Sequence, residues 1–103
     1  PPLSDEDSMI TIVLANQGNA PSPTTNIMGE IKKCGYGPKT NSSGWVGWSR
    51  LVKAKNFNIE SLESETWFNQ ANGVEIRILD ENDEIQTIYH VNKGTMTEIR
   101  RDA

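Results

Sequence analysis

Basic and aromatic residues are concentrated in one stretch of the chain, residues 32–55, which we call the basic segment. It carries six basic side chains and no acidic one, although the whole chain has a net charge of −4. Tyr36, Trp45 and Trp48 are interleaved with these cations and with glycines. Cations that neutralise phosphates, beside rings that stack on bases, are what a single-stranded nucleic-acid site requires. Tryptophan and arginine are also the residues that dominate protein–protein contacts.

Both hypotheses use the same candidate binding residues, namely the charged residues of the basic segment together with Tyr36 and Trp45. They are Lys32, Lys33, Tyr36, Lys39, Trp45, Arg50, Lys53 and Lys55. Trp48 is omitted because strand alternation directs it, together with Val46, toward the core and leaves Trp45 on the opposite face. The acidic isoelectric point of about 4.9 disfavours a dedicated nucleic-acid protein. The sequence therefore predicts a small protein-interaction or adaptor module, with single-stranded nucleic-acid binding as the alternative.

Catalysis would have to use the single cysteine, Cys34, or one of many carboxylates. A cysteine nucleophile needs a base in contact with it, and the single histidine, His90, lies far away in the sequence. Cys34 also falls at an apolar position of a predicted helix, which is typical of a small core residue. We therefore predict a non-enzymatic protein and keep a small enzyme that uses Cys34 as a third hypothesis.

The sequence predicts neither a metal site nor a cofactor. A structural zinc site needs four cysteine or histidine ligands, and the chain has two such residues. The acidic run 80–84 lacks the glycine and the distal glutamate of a calcium-binding EF-hand loop, so it is interpreted as a solvated turn. No phosphate-binding glycine motif is present, and no other motif of high specificity occurs.

Seven elements are predicted to position the candidate residues. Apolar runs and alternation predict strands at 9–15, 45–54, 74–79, 84–91 and 95–100. Helical spacing predicts a helix that begins near Pro23 and ends at Gly35, with Ser22 or Thr24 as its cap. A second helix is predicted from Ile59 to Gln70 with Asn58 as its cap, and residues 35–44 are interpreted as a loop.

This order of elements predicts an α+β fold, a small and mostly antiparallel sheet of four to five strands with two short helices on one face. Residues 9–103 are assigned to a single domain, and residues 1–8 to a flexible acidic tail. A single cysteine favours a reducing, cytoplasmic compartment. The longest apolar run is far shorter than the roughly 20 residues that cross a bilayer, so no membrane partner is expected. The final strand, 95–100, is expected to be exposed and able to pair with a second copy as a homodimer.

Overall fold

The computed structural model of the chain describes residues 8–18 and 22–102, and these residues contain six strands and several short helical segments. The strands are β1 (Met9–Asn16), β2 (Gly37–Asn41), β3 (Gly44–Lys53), β4 (Asn72–Leu79), β5 (Ile85–Asn92) and β6 (Thr95–Arg101). They form one antiparallel sheet in the order β2-β3-β1-β4-β5-β6. The helical segments are α1 (Pro23–Asn26), α2 (Met28–Lys33) and three 3-10 turns, Ala54–Asn56, Ile59–Ser64 and Phe68–Gln70. The predicted α+β class is confirmed, and the sheet has six strands rather than four to five.

The core lies between the sheet and the helical segments. Successive side chains of a strand point to opposite faces, so Ile10, Ile12 and Leu14 of β1 point toward the helical segments and are buried. The other buried members of the same cluster are Ile27, Ile31, Tyr36, Trp48, Leu62, Trp67, Phe68, Ala71, Val74, Ile76, Ile78, Tyr89 and Val91. Burying one such large side chain stabilises the fold by about 1.5–3 kcal/mol. We call this side of the sheet the helical face and the opposite side the open face.

The first predicted helix occurs as two short ones. α1 ends before Ile27 and α2 begins after it, and the predicted stop at Gly35 is confirmed by its positive φ of 93°. Ser22 precedes α1 but makes no side-chain capping bond. The start of α1 is bonded to the sheet instead. The backbone N and the Oγ1 of Thr24 both donate to Oδ1 of Asn16, at the end of β1, at 3.0 and 2.9 Å.

Two sequence predictions are wrong. Residues 35–44 are not a loop throughout, because β2 pairs with β3 there as the sixth, polar edge strand. Polar edge positions give no alternating apolar signal, and an Asn41–Ser43 side-chain turn closes the hairpin. The helix predicted over 59–70 is replaced by 3-10 turns, since its apolar residues are too sparse to form a continuous helical stripe. Asn58 does cap, with Oδ1 accepting from the Glu60 backbone N at 3.1 Å.

The remaining strand predictions are confirmed. β4 and β5 form the expected hairpin across the acidic turn, and β6 lies at the edge of the sheet beside β5. The tail predicted for residues 1–8 lies outside the described residues except for Ser8, which is buried and accepts a backbone hydrogen bond from Ala54 at 2.9 Å. Within residues 8–18 and 22–102, no helix is both long and apolar enough to span a membrane.

Candidate functional site

The sheet divides the basic segment between its two faces. Lys32 and Lys33 lie on α2 and Arg50 points from β3 toward the helical face, whereas Lys39 and Lys53 belong to the open face and Lys55 follows the end of β3. Nζ of Lys39 lies 3.4 Å from Oδ2 of Asp83 across the open face. The cations that are consecutive in the sequence therefore do not form a single surface.

One pair of candidate residues does come together, because a β-bulge interrupts β3. Thr40 pairs with Trp45 and Lys39 with Gly47, so Val46 is the extra residue of the bulge. The rings of Trp45 and Trp48 consequently meet edge to face, with centroids 5.4 Å apart and planes at 76°. The prediction that Trp45 faces away from Trp48 is therefore wrong.

The two tryptophans differ in exposure as the sequence predicts. Trp48 is 9% exposed and belongs to the core, while Trp45 is 56% exposed. Nζ of Lys32 lies 5.5 Å from the Trp48 ring centroid, within the range of a cation–π interaction. Lys32 and Trp45 thus flank the buried Trp48, and we call this group of three residues, in which Trp45 is the exposed ring, the Trp45 surface.

Only glycine fits directly after the bulge. Gly47 has a φ of 147°, and a Cβ atom at this position would lie 2.5 Å from the backbone oxygen of Leu14 in the neighbouring strand. The close approach of β1 to β3 therefore depends on Gly47, and this backbone course is what turns Trp45 onto Trp48.

A second group of candidate residues forms a shielded hydrogen-bonded network around Glu65. Its Oε1 accepts from Tyr36 Oη at 2.9 Å and from Trp67 Nε1 at 2.7 Å, and its Oε2 lies 2.8 Å from Nη2 of Arg50. Arg50 Nη1 donates to the backbone oxygen of Cys34 at 2.8 Å, and its guanidinium lies 4.7 Å from the Tyr36 ring centroid. Each of these polar groups is hydrogen-bonded or ion-paired within the network. Partly buried polar groups stabilise a fold when their hydrogen-bonding capacity is satisfied in this way.

This network occupies the functional groups of two candidates. Tyr36 is only 3% exposed, and burial, reinforced by the negative charge of Glu65, raises the pKa of its phenol well above the ordinary value. The hydroxyl therefore stays protonated and donates to Glu65. Arg50 is committed to Glu65 and Cys34, so neither residue offers its functional group to a ligand.

Cys34 and His90 lie on opposite faces of the sheet. Cys34 is a free thiol that packs against the core, with Sγ 3.5 Å from Oγ1 of Thr66. His90 lies on the open face, where its Nε2 is 2.9 Å from Oε1 of Glu75. Oε2 of the same carboxylate accepts from Nε of Arg77 at 2.5 Å. The structure therefore pairs His90 with an acid rather than with the thiol.

The described residues contain no group of three or more His, Cys, Asp or Glu side chains arranged to hold a metal ion. In the acidic turn, Oδ1 of Asp80 accepts from the backbone N atoms of Asn82 and Glu84, at 2.8 and 3.0 Å. The carboxylate thus organises the turn itself, which is the usual role of aspartate at such a position.

Sequence reasoning missed the two central carboxylates, Glu65 and Glu75. The predicted hairpin holds a signal for Glu75, because pairing Val74–Leu79 with the following strand sets Glu75 opposite His90 on one face. No comparable signal exists for Glu65, whose partners come from separate elements. Comparison of the chain with protein-family models, with curated proteins and with solved structures finds no match.

Proposed function

We propose that the protein is a non-enzymatic binding module that contacts a partner protein through the Trp45 surface. The observation that carries the proposal is an indole that is 56% exposed and is held in edge-to-face contact with the buried Trp48. A rigid aromatic ring loses little conformational entropy on binding, and tryptophan is the residue most enriched at the centres of interfaces. Lys32, whose Nζ lies over the adjoining Trp48 ring, favours a partner whose groove for the indole is bordered by acidic residues.

The division of the basic segment supports a protein partner over single-stranded nucleic acid. A strand of phosphates that tracked one face would meet at most part of the six cations, because Lys39 and Lys53 lie across the sheet from Lys32. Arg50 is already paired with Glu65. The phosphate contacts that dominate nucleic-acid affinity would therefore be few.

The test compares Trp45→Ala with Leu51→Ala, a matched control on the same strand. Leu51 is 62% exposed, but it points to the open face, whereas its neighbour Arg50 points to the helical face. A partner captured from the source cell is identified, purified and titrated against both variants. We expect Trp45→Ala to cost about 2 kcal/mol, or roughly 30-fold in Kd, and Leu51→Ala to change Kd less than about twofold. Equal affinities for the two variants would contradict the proposal.

A titration of tryptophan fluorescence with a mixed-sequence single-stranded oligonucleotide tests the alternative. Measurements at about 50 and 200 mM salt separate the two classes, because phosphate contacts weaken as salt rises. Saturable quenching that is lost in Trp45→Ala and weakens at the higher salt would replace the protein partner with nucleic acid.

Self-association through β6 is a second proposal for the partner. β6 is an edge strand of seven residues, whereas the other edge, β2, contains Pro38, which cannot donate to an added strand. Light scattering tests it directly: a solution mass twice the chain mass of 11.5 kDa supports pairing, and the single mass eliminates it.

A further inference from the structure

Carboxamide side chains line a pocket of about 450 Å³ at the end of the sheet where β1 and β5 end and β4 begins. Five lining residues contribute an amide: Gln17, Asn26, Gln70, Asn72 and Asn92. Pro23 and Gly73 complete the lining, and none of these described lining residues is charged or aromatic. We call this site the amide pocket.

The backbone fixes the orientation of two of these amides. Oδ1 of Asn92 accepts from the backbone N of Gly73 at 3.0 Å, and Nε2 of Gln17 donates to the backbone oxygen of Val74 at 3.2 Å. Nε2 of Gln17 also donates to Oδ1 of Asn92 at 3.3 Å. A backbone N–H can only donate and a carbonyl can only accept, so the oxygen and nitrogen positions of both amides are determined.

Within the Gln17–Asn92 pair, one acceptor and one donor carry no hydrogen bond to the other described residues. Oε1 of Gln17 and Nδ2 of Asn92 belong to amides whose other ends are already bonded, so their directions are set before anything binds. The side chains of Asn26 and Asn72 make no hydrogen bond within residues 8–18 and 22–102, and each adds a donor and an acceptor. Prearranged polar groups of this kind bind with a smaller entropic cost.

We propose that the amide pocket binds an uncharged amide group, supplied by the main chain or by an Asn or Gln side chain of a bound polypeptide. An amide presents one donor and one acceptor, which complement in kind the acceptor Oε1 of Gln17 and the donor Nδ2 of Asn92, and carboxamides can pair with such groups two bonds at a time. The described lining residues offer no cation for a phosphate or carboxylate and no anion for an ammonium group or metal.

The same lining disfavours a nucleobase. Unpaired bases are usually held by stacking on aromatic or arginine side chains, and neither occurs among the described residues of the pocket. The volume lies within the range of about 300–1,000 Å³ that small-ligand pockets occupy. The inference goes beyond the proposed contact at Trp45 and does not depend on it.

The experiment follows the side-chain NH₂ signals of the intact protein by ¹⁵N–¹H NMR. The probes are acetylated and amidated pentaglycine, which offers main-chain amides only, and the same peptide with a central asparagine. Uridine and methyl glucoside serve as a nucleobase and a sugar of comparable size. We expect both peptides, or the asparagine peptide alone, to shift the signals of Asn92 and Asn72 in a saturable way, and the comparison of the two identifies the source of the amide.

The decisive variant is Asn92→Asp. Its Oδ1 still accepts from Gly73, so the fold is retained, but Nδ2 is replaced by an oxygen and the donor is lost. We expect at least a fivefold weaker peptide affinity, as for the loss of one hydrogen bond of about 1 kcal/mol. Asn69→Asp is the matched control, because Asn69 is exposed and does not line the pocket, and it should bind as the parent does.

Three outcomes would overturn the proposal. One is the absence of any saturable shift at Asn72 and Asn92 with either peptide at concentrations up to the millimolar range. Another is a shift produced by uridine or methyl glucoside but not by the peptides. The third is an Asn92→Asp variant that binds peptide as tightly as Asn69→Asp does.

Discussion

Glu65 and Glu75 perform the same chemistry on opposite faces of the sheet. Each carboxylate accepts from an arginine and from at least one further donor, and their side chains are equally shielded, at 15% and 14% exposed. Arg50, Tyr36 and Trp67 surround Glu65 on the helical face. Arg77 and His90 flank Glu75 on the open face. The two sites differ in whether the surrounding backbone is already fixed by strand pairing.

Glu75 lies within a ladder that is fixed without it. It stands directly opposite His90 in the register of β4 and β5, and Arg77 is two residues along the same strand. Glu65 lies in the segment between β3 and β4, which contains only short 3-10 turns and no strand pairing of its own. Its hydrogen bonds connect this segment to Arg50 of β3 and to Tyr36, which directly precedes β2. The same set of contacts should therefore matter more for stability at Glu65 than at Glu75.

The largest expected effect is that of Glu65→Ala. The substitution leaves the buried Tyr36 hydroxyl and the buried Trp67 indole N–H without an acceptor, and it removes the carboxylate that pairs with Arg50. Breaking a shielded ion pair from one side costs about 3 kcal/mol. Urea-induced unfolding followed by far-UV circular dichroism measures the loss directly.

Glu63→Ala is the control for that measurement. Glu63 is exposed in the same 3-10 turn region, and its replacement should change the unfolding free energy by less than about 0.5 kcal/mol. If the two variants unfold at the same urea concentration, the Glu65 network does not hold the segment between β3 and β4 onto the sheet.

A smaller effect is expected for Glu75→Ala. The substitution removes the acceptor of one hydrogen bond from Arg77 and one from His90. Both of these side chains are partly exposed, so water can replace the lost acceptor. We expect a loss of about 1 kcal/mol in the same urea experiment. A loss as large as that of Glu65→Ala would show that the open face depends on its polar cluster as much as the helical face does.

Features that depend on local sequence could be predicted, whereas features that depend on contacts between distant segments could not. Alternation of Val74, Ile76 and Ile78 is a local property, and it predicts β4, its hairpin partner and the buried side of both strands. The burial of Trp48 follows from the same rule. Strand β2 is not predicted because a polar edge strand has no apolar alternation. The face predicted for Trp45 is wrong because a single extra residue, Val46, shifts the alternation of β3.

The polar sites are harder to predict because they are assembled from distant segments. Glu65 is 29 residues from Tyr36, and Gln17 is 75 residues from Asn92. Nothing in the spacing of these residues indicates that they meet, since their contact depends on strand order and on the course of irregular segments. Sequence therefore predicts the sheet and its buried side better than it predicts either polar network.

The smallest predicted effect is a dependence of the Glu75 contribution on pH. Partial burial raises the pKa of this carboxyl, but hydrogen bonds from His90 and Arg77 more than offset it, so the pKa in the folded protein lies below the ordinary value. The unfolded chain then takes up the proton first as pH falls. The stabilisation is therefore present above the ordinary glutamate pKa of about 4.3 and is lost as pH falls through the lower, folded-state value.

Comparison of the parent with Glu75→Gln measures this dependence. We expect the difference in unfolding free energy to shrink as pH is lowered from about 5.5 to about 3, because the carboxylate that Arg77 and His90 recognise becomes protonated. Glu60→Gln, at an exposed position, should show no such trend. A difference that stays constant or grows on acidification would mean that Arg77 and His90 do not favour the ionised carboxylate. Glu75 would then contribute mainly through packing on the open face. The two glutamates would be similar in burial and in the types of their neighbours, but not in how they stabilise the fold.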